Sequence, residues 1–167
     1  MLARAPELGE AYNKAFIHNW EYYPASQKEI KFLVDSLMIV ADHRLIKLIT
    51  YDEKIVGFLL GFPDISEAMK RQKGDITLWK PWGIVDLMLE MKRTKWISLN
   101  GAGVLPEYQG RGGNALMYSE MEKTVRDSQF EFAELTMVAE TTKQMRADLK
   151  NLGGQEYKNH RVYRRAI

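Results

Sequence analysis

The sequence of 167 residues has no cysteine, which excludes disulfide bonds, thiolate catalysis and cysteine-ligated metals. Histidine is scarce as well. The three histidines, His18, His43 and His160, are far apart and form no HxxxH or HxH pattern. We therefore expect no metal site.

Long apolar runs are also missing from the chain. The longest, IVGFLLGF at 55–62, is too short to cross a bilayer, and the first ten residues contain no apolar signal region. The formal net charge of +2 gives no electrostatic argument for a nucleic-acid partner. We therefore expect a soluble cytoplasmic protein with neither a membrane nor a nucleic acid as partner.

Apolar residues, by contrast, make up 46% of the chain, enough for the core of one domain. Their spacing predicts two amphipathic helices at the start, the second beginning at a capping box formed by Ser26 and Glu29. A hairpin of strands at 44–51 and 55–62 follows, joined by a tight turn at 52–54.

The second half of the chain predicts more helices and strands. Residues 63–94 form a helical insertion around the segment LWKPWG, and a strand at 95–104 follows. The rest comprises a helix from about Asn114, a strand at 130–139, a short helix ending at Gly153-Gly154 and a strand at 160–167. This order predicts a single α/β domain over residues 1–167.

The segment VLPEYQGRGGNAL at 104–116 places a cluster of glycines between a predicted strand and a predicted helix. Such a loop is typical of an anion site, because the N–H groups of the first helical turn lack partners and the helix dipole favours negative charge there. A plain strand-to-helix turn is the alternative, although one glycine would suffice for it.

Two nucleotide ligands fit this loop less well. Residues 110–115 match the dinucleotide fingerprint GxGxxG/A, and Glu131 and Glu134 follow at the offset of its ribose-binding acid. However, five residues separate the strand from the first glycine, and two helices and a hairpin precede the motif. A P-loop is excluded because no Gly-Lys-Ser/Thr follows.

The loop instead resembles that of the GNAT acyltransferases. Gln109-Gly110-Arg111-Gly112-Gly113-Asn114 is similar to their motif Q/R-x-x-G-x-G/A, and Val104-Leu105-Pro106-Glu107-Tyr108 is similar to the strand end before it. The order of helices and strands is also similar. Asn114 departs from the usual Gly or Ala, and we expect the loop to tolerate it because Asn adopts unusual backbone angles.

The resemblance implies a mixed, mostly antiparallel sheet with helices on both faces and two strands splayed apart to admit an acyl-CoA. It implies acetyl-CoA or another acyl-CoA as co-substrate and direct acyl transfer to the amine of a small molecule or peptide. The pyrophosphate would lie on the amides of Gln109, Gly110, Arg111, Gly112, Gly113 and Asn114, and the pantetheine on the strand end at Val104 and Leu105.

The first strand of the family has no counterpart, because Met1 to Arg4 is too short to form one. The chain thus resembles the carboxy-terminal catalytic half of longer GNAT-like proteins. The features near its start that carry this likeness are Tyr12-Asn13, Asn19-Trp20 and Pro24.

The customary proton donor is missing too. Many members have a late helix with the pattern N-x-x-A-x-x-L-Y, in which Thr142 takes the Asn position as a candidate coenzyme-binding residue and Leu149 replaces the Tyr. Tyr163 is then a candidate donor, as is Tyr157, although the base rate for aromatic residues in strands favours a packed or half-buried side chain for each.

A general base is needed because an amine acceptor is mostly protonated at pH 7. The strand at 95–104 carries no carboxylate, so Asp64 and Glu140, which end the neighbouring strands, are the candidates. A solvated charge or a helix start is the alternative for each. If no base is present, the chain is a noncatalytic acyl-CoA-binding or sensor domain, and an NAD(P)-dependent enzyme is the remaining alternative.

The insertion at 63–94 separates two strands that the family joins closely. Its Trp79, Pro81 and Trp82 predict a rigid flap on the acceptor side of the cleft. Alternatively, the two helices pack tryptophan into the core or against a second subunit in a homodimer.

Overall fold

The computed structural model describes residues 4–19, 22–37, 40–73, 81–135, 137–161, 163 and 165. The chain divides into two compact units, Met1–Thr136 and Met137–Ile167. The described residues contain no helix that is long and apolar enough to cross a membrane.

The first unit opens with two helices, α1 at Ala5–Phe16 and α2 at Gln27–Leu37. The capping box is confirmed: the Ser26 N–H donates to Glu29 Oε2 at 2.8 Å. Asn13 fixes the connection between the helices, because its Nδ2 donates to Ala25 O at 2.8 Å and its Oδ1 accepts from Ala25 N at 2.9 Å. One side chain thus holds the end of this loop against α1.

Four strands form one sheet in the order in which they occur along the chain. The antiparallel strands are β1 at Ile46–Tyr51, β2 at Lys54–Pro63 and β3 at Trp96–Val104, and β4 at Phe132–Leu135 pairs parallel to β3. A parallel pair needs a crossover, which α5 at Gly113–Arg126 supplies.

The predicted helical insertion between β2 and β3 contains α3 at Ser66–Arg71 and α4 at Pro81–Arg93. In the second unit, α6 spans Lys143–Asn151. It ends as predicted at Gly153, which has φ 85°, and the Gly154 N–H donates to Leu149 O at 2.9 Å. This is the Schellman ending that glycine favours.

Helices cover both faces of the sheet. On one face, Met117 and Met121 of α5 pack on a cluster that includes Leu59, Ile97 and Val104. On the other face, Ala11 of α1 packs on a cluster built from β2 and the residue after β3, namely Val56, Phe58 and Leu105. The prediction of a mixed, mostly antiparallel sheet between helices is confirmed.

Two predicted strands differ from the structure. The strand expected at 130–139 is shorter and spans Phe132–Leu135, and the described residues of the strand expected at 160–167 have no regular structure. Charged and exposed side chains dominate that last segment, so pairing would bury little apolar surface to offset the entropy of ordering it. The family's first strand was judged absent at Met1 to Arg4, and residues 1–3 lie outside the described residues.

Candidate active site

The loop after β3 turns on two glycines in the left-handed region. Gly110 has φ 73° and Gly112 has φ 80°, a conformation that other residues adopt with strain. A Cβ atom added to either would have no atom within 4 Å. The space above both glycines is therefore open.

Helix α5 begins directly after this loop with donors that remain available. Its first bond inside the helix runs from the Leu116 N–H to Gly112 O at 3.0 Å, and no side chain caps the helix. In the described ranges we find no acceptor for the N–H groups of Gly113, Asn114 and Ala115. Three donors at the positive end of a 14-residue helix form the geometry that binds an anion.

Packing explains the third glycine of the loop. A Cβ on Gly113 would lie 3.2 Å from Ile49 Cδ1 and 3.3 Å from Val104 Cγ2, so glycine lets α5 begin close to the sheet. Asn114 lies inside α5, where its φ is not positive. Our explanation for Asn114 is therefore wrong, because the unusual backbone angles fall on Gly110 and Gly112 instead.

The side chains of the loop turn back onto the protein. Gln109 Nε2 donates to Val104 O at 3.0 Å, and the Arg111 guanidinium lies over the Tyr108 ring, 5.3 Å from its centroid. Gln109 is thereby bonded to the end of β3, and Arg111 is held against the ring of Tyr108.

Among the described residues, the parallel strands β3 and β4 pair along the first four residues of β3. Their register runs from Trp96–Phe132 to Leu99–Leu135, although β3 continues to Val104. At the same point the register between β2 and β3 shifts, so that Asn100 is an extra residue, a β-bulge. The bulge at Asn100 directly follows the last described pair and lies four residues before the end of β3.

Three polar side chains lie on the α1 face of the sheet at this point. Ser98 Oγ donates to Asn100 Oδ1 at 3.0 Å, and Ser98 pairs in register with Glu134 of β4. Residues in register share a face of the sheet, so the half-buried side chain of Glu134 is on the same face as Ser98. The sequence indicates Glu134 only as a ribose ligand, because the register that pairs it with Ser98 cannot be read from a local pattern.

Tyr12 of α1 covers the next residue of β3. Its ring is stacked on Phe58 with centroids 5.4 Å apart, and its Cε2 would be 3.3 Å from a Cβ on Gly101. Partial burial raises the pKa of Tyr12 above its ordinary value near 10. The phenol is therefore protonated at neutral pH.

Asp64, a predicted base, directly follows the end of β2. Its Oδ1 accepts from the Ser66 N–H at 2.9 Å and from Ser66 Oγ at 2.5 Å, which starts α3. Its own N–H donates to Trp96 O at 3.0 Å, at the beginning of β3 and opposite the glycine loop. A catalytic role for Asp64 stays a prediction.

The remaining predicted residues belong to the second unit. Thr142 precedes α6, and its Oγ1 donates to Ala139 O at 2.6 Å. Glu140 Oε1 lies 4.0 Å from Arg161 Nη2, and Tyr163 is 85% exposed. Their roles in coenzyme binding, base and acid catalysis stay predictions.

The insertion exposes its described tryptophan. Trp82 of α4 is 82% exposed, so the helical pair does not pack this side chain into the core. Trp79 lies outside the described residues. Among the described His, Asp and Glu side chains, no group of three or more is placed to hold a metal ion.

No protein-family model matches the chain. It is 30% identical over 166 residues to a bacterial ceramide synthase of Caulobacter vibrioides, an alignment that covers 96% of this chain and 42% of that protein. The chain thus spans less than half the length of the curated relatives it matches.

Solved structures resemble the chain over nearly its whole length. A "possible acetyltransferase" from Clostridium difficile superimposes with a TM-score of 0.62 at 13% identity, covering 100% of this chain and 94% of that one. The aminoglycoside N-acetyltransferase AAC(6')-Iy, solved with CoA, gives a TM-score of 0.60 at 12% identity, covering 99% and 91%.

Proposed function

From the GNAT fold, which this chain has, we propose that it is an acyl-CoA-dependent N-acyltransferase. One observation carries the proposal: the N–H donors of Gly113, Asn114 and Ala115 lack protein acceptors in the described residues and adjoin the open space above Gly110 and Gly112. A pyrophosphate supplies the negative charge and the acceptor oxygens that such a helix end binds.

The backbone from Gln109 to Asn114 would hold the pyrophosphate. The pantetheine would lie along the end of β3, beyond the residues that pair with β4 in the described part of the chain, and its amides would bond to backbone groups of the strand there. The Leu105 N–H is bonded to Val56 O at 2.9 Å and its carbonyl accepts from the Tyr108 N–H at 2.9 Å, so Leu105 would contribute its side chain.

We assign the chemistry to the α1 face of the sheet. The acceptor nitrogen attacks the thioester carbonyl carbon, the C–S bond breaks, and an amide and a thiolate result. Glu134, beside Ser98 at the end of the pairing, takes the proton that the nitrogen loses. Tyr12, whose pKa is raised by burial, gives the departing sulfur its proton.

The acceptor in this proposal is a long-chain amine. A ceramide is a fatty acid joined by an amide bond to a long-chain amino alcohol, and the similar Caulobacter protein is named a ceramide synthase. The same amine acylation fits the catalytic groups assigned above. We therefore propose a fatty acyl-CoA as donor and a long-chain amino alcohol as acceptor.

Calorimetry with acetyl-CoA and with a long-chain acyl-CoA tests donor binding. Gly112→Leu should weaken binding about a hundredfold or more, because it costs at least two hydrogen bonds to charged oxygens, each contributing about 1.5 to 3 kcal/mol. Gly153→Leu is the matched control: Gly153 has φ 85° and equally open surroundings, but lies at the end of α6.

Equal affinities of wild type and Gly112→Leu would contradict the loop assignment, and no binding of any acyl-CoA would refute the function. Thiol release with a panel of amines then separates an enzyme from a sensor. Turnover with a long-chain amino alcohol and none with short amines is the expected result. Binding without turnover on every amine would favour the noncatalytic sensor.

A further inference from the structure

Helix α4 carries an exposed apolar stripe. Trp82, Val85, Met88 and Leu89 are 82%, 45%, 59% and 40% exposed and recur at helical spacing. We call these four residues the outer face of α4. The opposite side of the helix is buried through Leu87, which is 3% exposed.

Charge is divided around the same helix. Its two acids face α3, where Arg71 Nη2 lies 2.8 Å from Asp86 Oδ1 and 2.5 Å from Glu90 Oε2. Its two basic residues, Lys92 and Arg93, are exposed in the last turn. At 100° per residue Lys92 falls within the arc of the outer face, and Arg93 lies just outside it, between Trp82 and Asp86, so the arc itself is apolar and basic without an acid.

Helix α2 shows that exposure alone does not produce this pattern. Phe32 and Leu33 are 70% and 50% exposed, but the exposed residues of α2 include acids and bases together. Lys31 Nζ, for example, lies 2.9 Å from Asp35 Oδ2. The outer face of α4, which holds Lys92 and no acid, differs in this respect from a surface helix with scattered apolar residues.

We propose that the outer face of α4 lies on the surface of a bilayer that contains anionic lipids. An apolar stripe with tryptophan and flanking basic residues suits the boundary between headgroups and acyl chains, where Lys92 and Arg93 meet anionic headgroups. The 13-residue helix is about 20 Å long, too short to cross the hydrocarbon core of a bilayer. Its axis therefore lies in the plane of the surface.

This inference rests on the proposed function and deepens it. A long-chain amine and a fatty acyl donor both partition into membranes, so membrane binding would bring the protein to its substrates. It replaces our expectation that no membrane is a partner. That expectation rested on the lack of a spanning segment, whereas surface binding requires one amphipathic face.

Sedimentation with vesicles tests the proposal. The protein should bind vesicles of phosphatidylcholine and phosphatidylglycerol in equal parts more tightly than vesicles of phosphatidylcholine alone. The double variant Lys92→Ala, Arg93→Ala should lose about fivefold in affinity per residue on the mixed vesicles. Trp82→Ser with Met88→Ser should weaken binding to both kinds, and Phe32→Ser on α2 is the control that should change neither.

Each variant is also titrated with acyl-CoA, so that folding and the proposed function are measured separately. Intact coenzyme binding without vesicle binding would overturn the membrane proposal alone, and vesicle binding without coenzyme binding would overturn the proposed function alone. Equal loss of vesicle affinity in Phe32→Ser would remove α4 as the docking face. A dimer that Trp82→Ser dissociates, without vesicle binding, would make a second copy the occupant.

Discussion

The two ends of the candidate site are built from different parts of the chain. At one end, the glycine loop leads into the backbone N–H groups of consecutive residues at the start of α5, and Gly110 and Gly112 shape the turn before them. The reacting end that we propose combines side chains from separate elements, Tyr12 from α1 and Glu134 from β4, both on the α1 face of the sheet. The first end therefore tolerates side-chain changes that leave its backbone intact, whereas the second depends on each side chain.

The largest effect should follow from removing the carboxylate of Glu134. Glu134→Gln should lower kcat by about a hundredfold to ten-thousandfold, the usual contribution of general acid–base catalysis, and leave acyl-CoA affinity unchanged. Steady-state kinetics with calorimetry measures this split. Glu131→Gln is the control, because Glu131 is exposed and bonded to Lys95 at 2.7 Å.

Asp64→Asn and Glu140→Gln test the two bases expected from the sequence. If one of these lowers kcat strongly and Glu134→Gln does not, the reacting end is assembled from other residues than we infer.

A smaller effect is expected at Tyr12. Tyr12→Phe keeps the ring on Phe58 and removes the proton donor, so kcat should fall about tenfold, because water can also protonate a thiolate whose acid has a pKa near 8.5. Tyr22→Phe is the control, since it removes a hydroxyl that donates to Asn13 Oδ1 at 2.7 Å. An unchanged kcat in Tyr12→Phe would remove Tyr12 from the mechanism.

Tyr12 should also contribute to the pH dependence of stability. Burial raises its pKa in the fold above the unfolded value near 10. Its contribution is therefore full below about pH 10 and lost as the pH rises through the folded pKa. Urea unfolding from neutral to alkaline pH should show a decline that is shallower in Tyr12→Phe, and identical slopes in the two proteins would contradict this.

The smallest effect should come from Arg111. Its guanidinium rests on the Tyr108 ring and is exposed, so Arg111→Ala should weaken acyl-CoA binding by less than about fivefold, as for an exposed charge. Calorimetry on this variant and on Gly112→Leu compares the contribution of a side chain to acyl-CoA affinity with that of the backbone. A loss as large as that of Gly112→Leu would end the distinction between the two parts of the site.

This difference also explains what the sequence could predict. The glycine loop, the capping box of Ser26 and the Schellman end at Gly153 are local signals, because the residues that make each one are within a few positions of each other. The helix and strand order followed from periodicity for the same reason.

The reacting end could not be predicted this way. Glu134 reaches Ser98 through the parallel register of β3 and β4, which a crossover helix sets, and Tyr12 reaches Gly101 through the packing of α1 on the sheet. Neither contact leaves a pattern in the sequence near these residues. The expected bases therefore came from strand ends, where Asp64 proved to start α3.

The bulge at Asn100 shifts by one residue the alternation that decides which face of the sheet each later residue of β3 occupies. With it, Gly101 and Gly103 face α1, where a Cβ on Gly103 would lie 2.9 Å from Ala15 Cβ, and Val104 faces α5. Deleting Asn100 would exchange the two faces for every later residue of the strand and direct Val104 into the space that glycine leaves. A substitution at position 100 therefore leaves the register of β3 intact, whereas a deletion there does not.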